Sequence, residues 1–160
     1  MTRWVAIRSM ILAWGLAWAG AAGAASGLVH ASNFKADAHE AEQRHVPILL
    51  LFSSPGCHYC ERVKQEYLLP MNKDAAARKR VIIREVTLGS DAALTNFDGS
   101  PTTEDAFATA HKVSIVPTVL VVDTHGNPAS EAIVGLLIPD FYYGYLESAI
   151  DEGLRKVRGK

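Results

Sequence analysis

Cysteine, methionine and tryptophan are all scarce in this 160-residue chain, which has two, three and three of them. Trp4, Trp14 and Trp18 all fall in the first 25 residues, so the rest of the chain has no tryptophan. Met71 is the one methionine beyond that point, which speaks against copper(I) handling, since that ion favours soft sulfur ligands. Two cysteines fall short of the four ligands of a structural zinc site. Glu61, not histidine, follows the second cysteine, which excludes c-type haem attachment. Net charge is −1 and no basic stripe is present, which argues against a nucleic-acid partner. There is no internal repeat.

The opening "MTRWVAIRSMILAWGLAWAGAAGAASG" has a basic start (Arg3, Arg8), an apolar run from Met10 to Ala22 and small residues after it. That is the pattern of a secretory signal peptide over residues 1–25, cut near Ala24 or Ala25. A retained membrane anchor is the rival reading. The apolar run is short for a span of about 20 residues, and no charged stop follows it. Either way the body lies outside the cytoplasm, where disulfides persist. Residues 26–160 suit one domain with one core.

"SNFKADAHEAEQRHVP" predicts an amphipathic helix capped by Ser32 or Asn33, with Phe34, Ala38 and Ala41 on one side. "PILLLFSS" predicts a strand buried on both faces. "CHYCERVKQEYLL" predicts a helix with a Val63, Tyr67, Leu68 stripe, which Pro70 ends or kinks. "KRVIIREV" is the next strand. The stretch 88–101 has no clear period and is expected as a long loop. "TTEDAFATAHK" is a short helix with a capping box between Thr102 and Asp105. Then come a proline-led strand "VSIVPTVLVVD", a turn, an edge strand "PASEAIVG" and a closing helix "LIPDFYYGYLESAIDEGLRKV". This order predicts an α/β fold with a mixed parallel and antiparallel sheet covered by helices on both faces.

Cys57 and Cys60 stand two residues apart in "SSPGCHYCERVK". Metal binding, an inert cross-link and a redox pair all remain open. A cross-link closing so short a loop removes little unfolded-state entropy. The redox reading has a mechanism. Cys57 falls where a buried strand gives way to a helix, whose free amides and dipole favour a thiolate. Cys60, one turn on, can resolve the mixed disulfide. Pro117, before an apolar strand, is placed for a cis bond. That would expose the amide and carbonyl of Val116, with which an extended substrate could pair.

"ILLLFSSPGCHYCERVK", "HKVSIVPTVLVVDTHGN" and Gly135 of "IVGLL" resemble the thioredoxin superfamily in order and spacing. Tyr59, the "TNFDG" insert and the "FYYGYLESAI" helix resemble the secreted bacterial proteins of the SoxW type. The resemblance implies a thioredoxin fold and a periplasmic thiol–disulfide oxidoreductase acting on secreted protein thiols and disulfides. It implies Cys57 and Cys60 as the catalytic pair, Val116 and Pro117 as the substrate wall, and His58 and Tyr59 as tuners of redox poise. The redox-active disulfide is then the only cofactor, without metal, and a membrane electron donor of the CcdA or DsbD type keeps a monomeric protein reduced.

Three positions depart from the thioredoxin pattern. Gly56 replaces the tryptophan before the first cysteine, Leu51 replaces a buried aspartate, and His-Tyr replaces Gly-Pro. A protonated His58 would favour the thiolate and make a better oxidant, and a tyrosine in second place is shared with secreted disulfide isomerases. The alternatives are therefore an oxidase or isomerase, or a non-catalytic metal-binding module. Glu85 is expected as a solvated strand-end carboxylate. His30, His39, His45, His111 and His125 are expected at the surface, and Phe141, Tyr142, Tyr143 and Tyr145 as a helix face docking on the sheet.

Overall fold

The computed structural model describes residues 27–159. The expected signal peptide lies outside them. Asn33 caps the first helix, α1 (Phe34–Arg44), its side chain accepting the Ala36 N–H at 3.0 Å. Strand β1 (Ile48–Ser53) is buried at every position. It pairs in parallel with β2 (Ile82–Thr87) and antiparallel with β5 (Thr118–Val122). Strand β6 (Ile133–Val134) closes a sheet of order β2-β1-β5-β6. The sheet is thus mixed, as the element order requires. The outer side of β2 is hydrogen-bonded by the chain's own lead-in: Glu85 N–H donates to Val29 O at 3.0 Å and Ala31 N–H to Glu85 O at 2.8 Å.

The two sheet faces carry different aromatic groups. On one, Phe34 of α1 packs on Phe107 of α5 (Glu104–Ala110) with ring centroids 4.6 Å apart, and Phe107 reaches Phe52 of β1. On the other, Tyr67 meets Tyr142 of α6 (Pro139–Val157) at 4.9 Å. Gly153 lets α6 lie close to the sheet, since a Cβ there would stand 2.7 Å from Val121 Cγ1 and 2.9 Å from Pro47. Of the aromatic run, only Tyr142 docks; Phe141, Tyr143 and Tyr145 are exposed. Successive helical residues are about 100° apart around the axis, so a run of neighbours cannot share one face.

Two other expectations are corrected, and a third resolves between its two alternatives. The stretch 88–101 is not structureless: β3 (Ala93–Thr95) and β4 (Pro101–Thr103) form a hairpin. Phe97 at its tip stacks on Phe34 at 4.8 Å and covers Gly126, whose φ of +82° and lack of a Cβ make room for the ring. The α5 cap is Thr103, which accepts the Ala106 N–H at 3.2 Å, while Asp105 turns back to accept the Gly89 N–H. Pro70 does not end its helix. α2 (His58–Val63) passes through a π turn (Lys64–Leu68) into α3 (Leu69–Lys73), with α4 (Ala75–Arg78) following. A proline has no N–H to give the preceding turn, and one wider turn there absorbs the mismatch.

Candidate active site

Strand β1 ends at Ser53, and the turn Ser54–Gly56 delivers Cys57 to the N-cap of α2. Gly56 has φ +75°, where an L side chain is strained, so this turn does not suit the family's tryptophan. Cys57 and Cys60 form a disulfide, with the Cα atoms 5.2 Å apart. Cys57 Sγ accepts the Cys60 N–H at 3.1 Å. The two cysteines are unequal in exposure: Cys57 is half-buried and Cys60 fully buried. His58 and Tyr59 between them are both exposed, their rings 5.8 Å apart and edge-on.

The Val116–Pro117 peptide is cis. Pro117 is buried, and Val116 is half-buried against the core. Because Phe52 and Thr118 are register partners, Pro117 leaves the sheet at the same end as the cysteine turn. Thr118 Oγ1 donates to Ile115 O at 2.8 Å and Gly135 N–H to Pro117 O at 2.7 Å, fixing this loop from both sides.

Glu85 was expected in solvent; the structure buries it to 3% exposure. It is the register partner of Leu51. Ser53 Oγ donates to Glu85 Oε1 at 2.6 Å and Lys64 Nζ to the same oxygen at 3.0 Å. Lys64 also pairs with Glu61 at 2.5 Å. Burial alone would pull the Lys64 ammonium down, but its bonds to Glu61 and Glu85 outweigh that and raise its pKa above the ordinary lysine value. Lys64 stands four residues after Cys60, one turn along the same side of the helix. A buried carboxylate without partners would be strongly unfavourable, so this cation and hydroxyl are what make Glu85 tenable. Sequence reasoning missed Lys64. The spacing from Cys60 was visible, but the strand register that brings it to Glu85 was not.

One histidine departs from the surface expectation. His111 lies half-buried with its ring 4.4 Å from Phe107, and burial lowers its pKa. His30 is exposed but reaches two buried carboxylates, Glu85 at 3.7 Å and Glu104 at 4.0 Å. Among the described residues no group of three or more His, Cys, Asp and Glu gathers as a metal site, and no helix is long and apolar enough to cross a membrane.

The profile of the family described as Thioredoxin-like domain matches residues 34–150. No curated protein matches the chain. Solved structures do. A thioredoxin-fold protein from Helicobacter pylori is 19% identical, with 72% of this chain and 81% of that one covered at a TM-score of 0.49. Trxlp from Edwardsiella tarda EIB202 is 21% identical, with 69% and 91% covered at 0.48. The periplasmic thioredoxin SoxS from Paracoccus pantotrophus, in its reduced form, is 19% identical, with 66% and 97% covered at 0.47.

Proposed function

Because the chain belongs to the thioredoxin-like domain family, we propose that it is a periplasmic thiol–disulfide oxidoreductase of the SoxW type, a monomer that reduces disulfides of secreted proteins. The family fold together with a CxxC pair supports thiol–disulfide chemistry. The observation that carries the reading is the unequal exposure of the two cysteines, with Cys57 half-buried at a helix start and Cys60 fully buried one turn on. The leader over residues 1–25, read as a cleaved signal peptide, supports the compartment.

In the forward step the Cys57 thiolate attacks one sulfur of a substrate disulfide. A mixed disulfide forms and one substrate thiolate leaves. The Cys60 thiolate then attacks Cys57 Sγ, releasing the second substrate thiolate and closing the Cys57–Cys60 disulfide. Two electrons pass to the substrate, which takes up two protons. The Cys60 N–H that meets Cys57 Sγ favours negative charge on that atom. Val116, beside the cis bond, offers backbone groups for an extended substrate. Glu85, held by Lys64 and Ser53 on the Cys60 side, is the buried carboxylate we assign to the role Leu51 cannot fill. His58 and Tyr59, exposed over the pair, tune its poise. Regeneration needs a dithiol donor, and in a compartment kept oxidising that donor is a membrane protein of the CcdA or DsbD type.

The test is the in-vivo redox state after alkylation of free thiols. Mostly reduced protein, becoming oxidised when the membrane donor is deleted, is the expected result. Mostly oxidised protein in normal cells would overturn the reductant reading in favour of an oxidant.

A further inference from the structure

Among the described residues strand β6 is the open edge of the main sheet, and its outward side has a defined register. Gly135 N–H points inward, to Pro117 O. Bonding direction alternates along an antiparallel strand, so the N–H and C=O of Val134 point outward. A cavity flanks this edge on each sheet face. The one on the α6 side, of about 370 Å³, is lined by Ile133, Tyr142, Tyr145 and Ala149. The one on the opposite side, of about 290 Å³, is lined by Val113, Ile115 and Leu120. Ser130, Ala132 and Val134 border both.

The cavities differ in charge. Glu131 and Glu152 line the α6-side cavity, and neither has an ion-pair partner among the described residues. Tyr142 also lines it, and its buried hydroxyl has no hydrogen-bond partner. The other cavity has no carboxylate in its wall, and Lys112 stands at it. A strand sends successive side chains to opposite faces. One added to β6 would place alternate residues in an acidic-rimmed cavity and in one without a carboxylate, floored by Val113, Ile115 and Leu120.

We propose that the outer edge of β6 is a docking site, separate from the cysteine pair, for an extended polypeptide segment in which basic and apolar residues alternate. Val134 supplies the main-chain hydrogen bonds. Lysine or arginine stems lie along Tyr145, and their charged heads meet Glu131 and Glu152. Apolar side chains fill the cavity of Val113, Ile115 and Leu120.

The probe is a nine-residue capped peptide of alternating Arg and Val, titrated against the oxidised protein by fluorescence anisotropy. Saturable binding is expected. It should weaken at least about tenfold for a peptide of alternating Glu and Val, and likewise for the wild-type peptide against Glu131→Lys/Glu152→Lys protein. N-methylation of the alternate amides that face β6 should abolish it. Val134→Pro, which removes an outward N–H and spares the bonds to β5, should do the same while the thermal melt is retained. Equal binding by the N-methylated peptide, or by the Glu peptide, overturns the proposal. So does sedimentation as a dimer that excludes the Arg peptide, which would give the edge to a second copy. These readouts need no thiol chemistry, so they stand whether or not the reductant reading does.

Discussion

Leu51 and Glu85 face one another across adjacent parallel strands, an apolar residue where the thioredoxin pattern has a carboxylate and a carboxylate on the strand beside it. A buried carboxylate thus stands one strand over from that position. Ser53 and Lys64 hold it there.

Removing that charge should expose the dependence of its partner. Glu85→Gln leaves Lys64 with Glu61 alone in a largely buried setting. A loss of about 2–3 kcal/mol in denaturant unfolding is expected, at or below the range for breaking a fully buried pair. Glu85→Gln/Lys64→Met should recover most of it. A double variant no more stable than the single would show that the pair carries no such coupling.

The order of the cysteines sets which one is trapped on substrate. Cys60→Ser should accumulate a mixed disulfide through the half-buried Cys57, and Cys57→Ser should accumulate none through the buried Cys60. Non-reducing gels with peptide mapping decide between them.

His58 is exposed next to Cys57. If its protonated ring favours the thiolate, His58→Ala should make the couple more reducing by about 10–20 mV, equivalent to about 0.5–1 kcal/mol for a surface charge. Glutathione titration measures this, and an unchanged potential leaves His58 without that role.

Burial lowers the His111 pKa, so the unfolded chain takes up a proton at a pH where the folded protein does not. Stability is unaffected by this group above the ordinary histidine value of 6.5 and falls as pH drops below it toward the folded pKa. His111→Phe should flatten that acid limb of the stability curve. An unaltered limb would assign the acid sensitivity elsewhere.

Alanine normally stabilises a helix by about 1 kcal/mol relative to glycine. Gly153→Ala should do the opposite, lowering stability by about 1–2 kcal/mol, because the new Cβ would press on Val121 and Pro47. Gly144→Ala, with nothing within 4 Å of the added atom, is the matched control and should stabilise. Nothing in the structure explains the glycine at 144.

The elements with a strong period were legible. Phe34, Ala38 and Ala41 announce α1, and the unbroken run Ile48–Phe52 announces a central strand. The cysteine turn could be read because strand and helix signals meet there. The β3–β4 hairpin could not, since strands of three residues carry too little alternation to register, and Pro101 reads as a breaker. Thr103, not Thr102, caps α5 because β4 carries extended backbone through Thr103. The Glu85 cluster was hidden for another reason. It joins Ser53, Lys64 and Glu85 across long sequence separations, and only the β1–β2 register brings them together.

The two borders of the main sheet are finished differently. Val29 and Ala31 occupy the outer side of β2, whereas β6 has no neighbour among the described residues. Edge-to-edge polymerisation requires two vacant borders per molecule, one to receive and one to offer. A sheet with a single vacancy can accept one strand and then stops, so joining at that border is self-terminating, and the chain's own lead-in serves as the plug that makes it so.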